Sequence, residues 1–275
     1  MSLMGIMQGR LSPPVDGKIQ AFPLAHWAEE FSVAAAVGLS SIEWILESPL
    51  PTNPLWTDEG LARIQEQIRQ TNVRVDFICA DYFMESPLMR MSPDDLQRNQ
   101  SVLMRTIDQA AALGAKGIEI PCVDASEIRS RADEDELASA IAPCLEHAAE
   151  RNIQLGLETS LPPDRFRNLL QRIGHPSLKA NYDSGNSASL GYDPAEEIAA
   201  YGSWINNVHI KDRLRGGSTV PLGSGNADIG KVLRLLKGAG YHGGFVLQAA
   251  RGADDVAAAR HYREQLLAWL AEAGC

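Results

Sequence analysis

Short runs that alternate apolar and polar residues recur along this chain, separated by longer stretches with helical spacing. The short runs predict strands over 4–9, 40–46, 73–79, 116–121, 153–158, 178–183, 205–210 and 243–248. The longer stretches predict helices over 25–37, 57–71, 93–113, 133–151, 163–173, 194–201, 228–239 and 253–272. Some helix limits are marked: Ser92 before Pro93 reads as an N-cap with proline in the first turn, and Gly114 and Gly174 read as stops. Strand and helix alternate eight times over 275 residues, about 34 residues per unit, the size of a βα module in a closed barrel. No GxGxxG follows the first strand, which counts against an open dinucleotide-binding sheet. The pattern predicts an α/β fold, a single (β/α)8 TIM barrel over residues 1–275, with no linker or composition break to mark a second domain.

Strand parity sorts side chains by face. Gly156 and Glu158 oppose Leu155 and Leu157. Asn181 and Asp183 oppose Ala180 and Tyr182. Asn207 and His209 oppose Val208 and Ile210, and Val246 and Gln248 oppose Phe245 and Leu247. The larger apolar sets suit packing on helices. The polar sets then point into the barrel near the strand C-termini, where barrel enzymes carry their chemistry. Glu158, Asp183 and His209 offer two carboxylates and an imidazole, donors suited to Mn²⁺, Mg²⁺, Zn²⁺ or Co²⁺. Gln248 could add its amide oxygen. Hydrogen bonding to a loop explains any one such residue; three that share strand position and parity predict a site for one divalent metal ion.

Other residues extend the site. Glu43 and Glu119 share the inward parity and read either as contacts to substrate hydroxyls or as carboxylates paired inside the barrel. Arg10 ends the first strand, where it could hold an anionic group or lie in a surface loop. Lys211 shares parity with His209 and reads as a substrate-binding or supporting residue, with a Schiff-base role also conceivable. The stretch from Lys211 to Gly230 is rich in Gly, Ser and Arg. Arg213, Arg215 and the backbone of Gly223, Ser224 and Gly225 could cradle a phosphate there; a solvated loop is the alternative. Trp56 could floor a sugar.

Composition narrows the partners. A formal net charge of -10 counts against non-specific binding to nucleic acid or an anionic membrane surface. No apolar run approaches the roughly 20 residues a spanning helix needs, and MSLMGIMQGR lacks the apolar core of a signal peptide. Cys79, Cys122, Cys144 and Cys275 form no metal-ligand spacing and read as reduced thiols of a cytoplasmic protein. A homo-oligomer is left open.

Four segments, in this order, carry a resemblance: GLETS around Glu158, DSGN from Asp183 to Asn186, VHIKD from Val208 to Asp212, and VPLGSGNADI before the seventh helix. Together with GIMQGRLSPP at the start, they resemble the xylose isomerase-like barrel superfamily, in its sugar-phosphate isomerase and epimerase branch. That superfamily also contains endonuclease IV. The resemblance covers nearly the whole chain. It implies a sugar or sugar-phosphate substrate and one divalent metal held by the positions of Glu158, Asp183, His209 and Gln248. It also implies that two glutamates move protons, and only Glu158 is present: Gln248 stands where the second is expected, and an amide is no base. A dehydratase or lyase on a related polyol, or a non-catalytic sugar or metal binder, are the alternatives. Asn186 stands where the multi-metal nuclease needs a histidine, which makes that class the least fitting. Asn186 reads instead as substrate-binding.

Overall fold

The computed structural model describes residues 4–274, so Cys275 lies outside the described residues. Eight parallel strands close on themselves. β1 (Met4–Met7), β2 (Ser41–Ile45), β3 (Phe77–Cys79), β4 (Gly117–Cys122), β5 (Gln154–Thr159), β6 (Leu178–Asp183) and β7 (Ile205–Ile210) follow one another around the barrel. A small antiparallel hairpin, β8 (Asp212–Arg213) with β9 (Thr219–Val220), leaves the barrel after β7. β10 (Phe245–Leu247) then returns between β7 and β1 and completes the closed (β/α)8 order.

The helices are α1 (Glu29–Val37), α2 (Asp58–Thr71), α3 (Tyr82–Glu85), α4 (Pro93–Leu113), α5 (Arg131–Glu150), α6 (Pro163–Ile173), α7 (Ser184–Leu190), α8 (Pro194–Tyr201), α9 (Ile229–Gly238) and α10 (Asp255–Ala273). α3, α7 and the hairpin are additions to the eight-plus-eight pattern, and all three sit on loops that follow strand C-termini. α7 is started by a site residue: Asp183 Oδ1 accepts from the amides of Gly185 and Asn186, both at 2.8 Å, as an N-cap does. Among the described residues, no helix is long and apolar enough to cross a membrane.

Two predicted strands shrink. Of 73–79 only Phe77–Cys79 forms a ladder; Arg74 makes a lone bridge to Ser41, and its guanidinium turns to Asp76 at 2.9 and 3.1 Å. Of 243–248 only Phe245–Leu247 is strand, because two glycines precede it and weaken the extended state.

The outward-facing residues build the layer between barrel and helices. Trp44 is fully buried there, with Phe22 and Trp27 rings at 5.2 and 5.6 Å and its indole N–H on Asn53 at 2.9 Å. Its neighbour Glu43 therefore points inward. Register then levels the polar residues: Cys79 lies beside Glu119, and Asp183 beside His209.

Candidate active site

The C-terminal mouth opens into a cavity of ≈ 670 Å³ whose wall includes Glu158, Lys211 and Gln248. At its base one ligand atom each from Glu158, Asp183 and His209 lies within 4.8 Å of the others. All three residues are buried, His209 completely.

Asparagines two residues earlier on the same strand face set the geometry. Asn181 donates to Glu158 Oε2 at 2.7 Å and lies 3.2 Å from His209 Nδ1. Asn207 donates to Glu43 at 2.9 Å. The other imidazole nitrogen, Nε2, is 3.1 Å from Glu43 Oε2. Glu43 thus accepts from Nε2–H, and Nδ1 faces Glu158, 3.6 Å away. A carboxylate on the far nitrogen is the usual support for a metal-ligating histidine.

Charge is concentrated here. Burial and then the Asp183 charge push the Glu158 carboxyl up to about 6. His209 is pulled down by burial but held up to about 10 by Glu43, Glu158 and Glu119. Without a metal, the second imidazole proton neutralises part of this cluster; a cation at Nδ1 would displace it.

Lys211 bridges the site. Its Nζ lies 3.2 Å from Asp183 Oδ2 and 3.3 Å from Gln248 Oε1, while Gln248 Nε2 donates to Gln20 at 2.9 Å. Gly185 permits this: a Cβ there would meet Lys211 Cγ at 2.7 Å. Asn186 donates to Glu158 Oε1 at 2.5 Å and accepts from Arg213 at 2.8 Å. The loop arginine is thereby wired to the carboxylate through one amide.

The loop arranges its donors differently from the sequence reading. The amides of Gly223, Gly225 and Ala227 all donate to the fully buried Asp212 carboxylate at 2.8–2.9 Å. The protein's own anion occupies the expected phosphate cradle. Arg213 reaches the cavity wall, also donating to Gly217 O, whereas Arg215 is exposed and not part of that wall. Arg10 lines the cavity but spends its guanidinium on the carbonyls of Ala249 and Ile19 and on Gln20. Trp56 lies away from the cavity, stacked under Arg105 at 4.7 Å. Glu43 and Glu119 sit deeper, with Cys79 between them in the strand order.

The sequence reading passed over Asn181, Asn207, Gln20 and Asp81. For the two asparagines a signal existed, since each precedes a site residue by two positions with shared parity. Gln20 and Asp81 come from loops with no periodic signal.

The sequence profile described as xylose isomerase-like TIM barrel matches residues 31–273. The chain belongs to this family. A 2-epi-5-epi-valiolone 7-phosphate 2-epimerase of Actinoplanes sp. is 31% identical over 143 residues, 50% of this chain and 52% of that one. The chain thus spans about half the length of that relative. A 3-oxo-isoapionate decarboxylase of Pectobacterium atrosepticum is 29% identical over 201 residues, 64% of this chain and 68% of that one. Among solved folds, a xylose isomerase-like TIM barrel protein from Mycobacterium smegmatis, determined in complex with magnesium, superposes with a TM-score of 0.73. It is 21% identical and covers 99% of this chain and 97% of that one.

Proposed function

We propose that this chain is a metal-dependent isomerase or epimerase that moves a proton beside the carbonyl of a sugar or sugar phosphate. One observation carries the reading: Glu158, Asp183 and His209 converge within 4.8 Å at the base of the cavity, on three neighbouring strands. The donor set fits a divalent ion, because His209 presents Nδ1 with Nε2 already committed to Glu43. Asp183 supports this, as its Oδ1 caps α7 while its Oδ2 lies outside that cap, held among the described residues only by Lys211 Nζ at 3.2 Å. Glu158, Asp183 and His209 would hold the ion, and Gln248 offers an oxygen that Lys211 now shares. The magnesium complex of the Mycobacterium smegmatis barrel accords with this.

Such an ion supplies Lewis acidity, polarising a carbonyl and the hydroxyl next to it. Glu158 removes the proton from the adjacent carbon. Burial raises its carboxyl above the ordinary range while a bound cation would lower it again, so it stays a carboxylate able to take a proton near neutral pH. Asn181 and Asn186 each grip one oxygen of it and fix its aim. The Lys211 ammonium, beside Gln248, is the proton-bearing group positioned on that side to complete the transfer. The Actinoplanes relative is by name a 2-epimerase of a 7-phosphate, which supports epimerisation of a phosphorylated substrate. At the rim, Arg213 is the donor for a phosphate or other anionic group. Reduced Cys79, Cys122 and Cys144 accord with a cytoplasmic setting.

The decarboxylase relative favours a second reading, a lyase or dehydratase, which needs only one base. Incubation in D₂O with Mn²⁺, Mg²⁺, Zn²⁺ or Co²⁺ and a panel of ketoses and their phosphates tests both. The expected result is deuterium at the carbon next to the carbonyl, with an epimer or isomer formed. Release of water or CO₂ without an epimer would replace the first reading by the second. A metal-loaded protein that exchanges no deuterium would be a binder.

A further inference from the structure

Below the proposed metal site, β2, β3 and β4 bring a second group together. One ligand atom each from Glu43, Cys79 and Glu119 lies within 4.8 Å of the others. All three residues are at most 2% exposed. Glu119 is the informative member: among the described residues, neither of its carboxyl oxygens has a hydrogen-bond partner. The Cys79 thiol has one proton, and that is aimed at Asp81 Oδ1, 3.2 Å away. A buried carboxyl whose two oxygens find no hydrogen-bond partner has lone pairs that a bound group would use. Burial, and after it the charge of Glu158, drives this carboxyl well above its ordinary range.

We propose that Glu43, Cys79 and Glu119 hold a second divalent cation, of the zinc class. The ligand set decides the class: a thiolate disfavours magnesium, calcium and manganese, whereas sulfur with carboxylate oxygen suits zinc or cobalt. An entry path exists, because Cys79 and Glu119 line the same cavity that opens at the mouth. The supporting contacts exist too. Asn207 donates to both Glu43 oxygens, Oε2 at 2.9 Å and Oε1 at 3.2 Å, and His209 Nε2 lies 3.1 Å from Oε2; these contacts fix the carboxylate, and Oε1, with one such contact, keeps a lone pair for a cation. Binding releases the protons of Cys79 and Glu119. The two sites are joined by one imidazole, Nδ1 facing the first and Nε2 the Glu43 of the second. The inference does not depend on the sugar chemistry proposed above.

Cobalt distinguishes the sites, because only the second offers a thiolate. The full chain, stripped with a chelator, is titrated with Co²⁺ while uptake and the near-ultraviolet thiolate-to-cobalt absorption are followed. The expected result is uptake of a second ion per chain, accompanied by that absorption. Cys79→Ala should abolish the absorption and the second ion while the first still binds. Glu119→Gln, close in shape, should weaken the second ion by about 10-fold or more, the loss typical even for residues that only support a ligand. Asp183→Asn should do the reverse, weakening the uptake that carries no thiolate absorption. Thermal melts of each variant confirm folding, and Cys122 and Cys144 remain as internal controls. Uptake without the thiolate absorption, or an absorption that survives Cys79→Ala in folded protein, overturns the proposal. Failure of the first site alone shows as lost uptake with the absorption intact.

Discussion

At the scale of single residues, position 248 sets the chemistry. A glutamine there cannot take a proton, so the proposed chemistry rests on one base, Glu158, with the Lys211 ammonium beside Gln248. Glu158→Gln should lower turnover by about 10²–10⁴ at saturating metal, the usual cost of losing a general base. Saturation separates that loss from weaker metal binding, and full turnover under those conditions would remove Glu158 from the mechanism. Gln248→Glu adds a carboxylate 3.3 Å from where Lys211 now donates. It should tighten Mn²⁺ binding, read by calorimetry. The amide link from Arg213 through Asn186 to Glu158 gives a further expectation. Arg213→Ala should raise KM more for phosphorylated than for plain ketoses, because the guanidinium is the rim donor. Equal effects on both classes would show that Arg213 only steadies the loop.

At the scale of elements, the loop after β7 is built around a buried charge. Asp212 accepts three backbone amides from Gly223, Gly225 and Ala227. Each charged hydrogen bond contributes about 1.5–3 kcal/mol. Asp212→Asn turns one acceptor into a donor facing amide donors, and should cost about 2–4 kcal/mol, read by urea unfolding, with early proteolysis in the loop. A cost below about 0.5 kcal/mol would mean the loop is ordered by other contacts. α5 offers a smaller test. Ser130 accepts from the Asp133 amide at 3.1 Å, and Asp133 answers the Ser130 amide at 3.3 Å in a capping box. Ser130→Ala should cost about 1 kcal/mol, and activity should be unchanged, since the cap lies outside the cavity.

At the scale of the whole molecule, the cluster links stability to pH and metal. Glu158 is held at about 6 against an ordinary 4.5, and His209 at about 10 against 6.5. In both cases the folded chain holds a proton more tightly than the unfolded chain. Stability from Glu158 is therefore present below pH 4.5 and lost as pH rises to about 6. That from His209 is present below 6.5 and lost as pH rises through about 10. The melting temperature of the chelated protein should fall between pH 6.5 and 10, and His209→Gln should flatten that fall. Zn²⁺ or Mn²⁺ should also flatten it, since a cation takes the proton's place. At a hundred times its dissociation constant it should add about 2.7 kcal/mol. A chelated protein whose melting temperature rises through this window would contradict the proton-holding cluster.

Periodicity alone supplied the alternation of strand and helix, the closed barrel and the inward parity of Glu158, Asp183, His209 and Gln248. These depend on the period-two geometry of a strand and on the constraint that polar side chains avoid the helix-facing layer. The asparagines at 181 and 207 were also readable from that parity. Three-dimensional contact decided the rest. Asp212 filling the loop's amides, Lys211 standing between Asp183 and Gln248, and Gln20 reaching Gln248 join segments that no local pattern connects. Glu119 is the clearest case. Its inward parity shows in the sequence, but its lack of a partner depends on what the other seven barrel strands and their loops place around it. That emptiness is a property of packing, which only the folded chain defines.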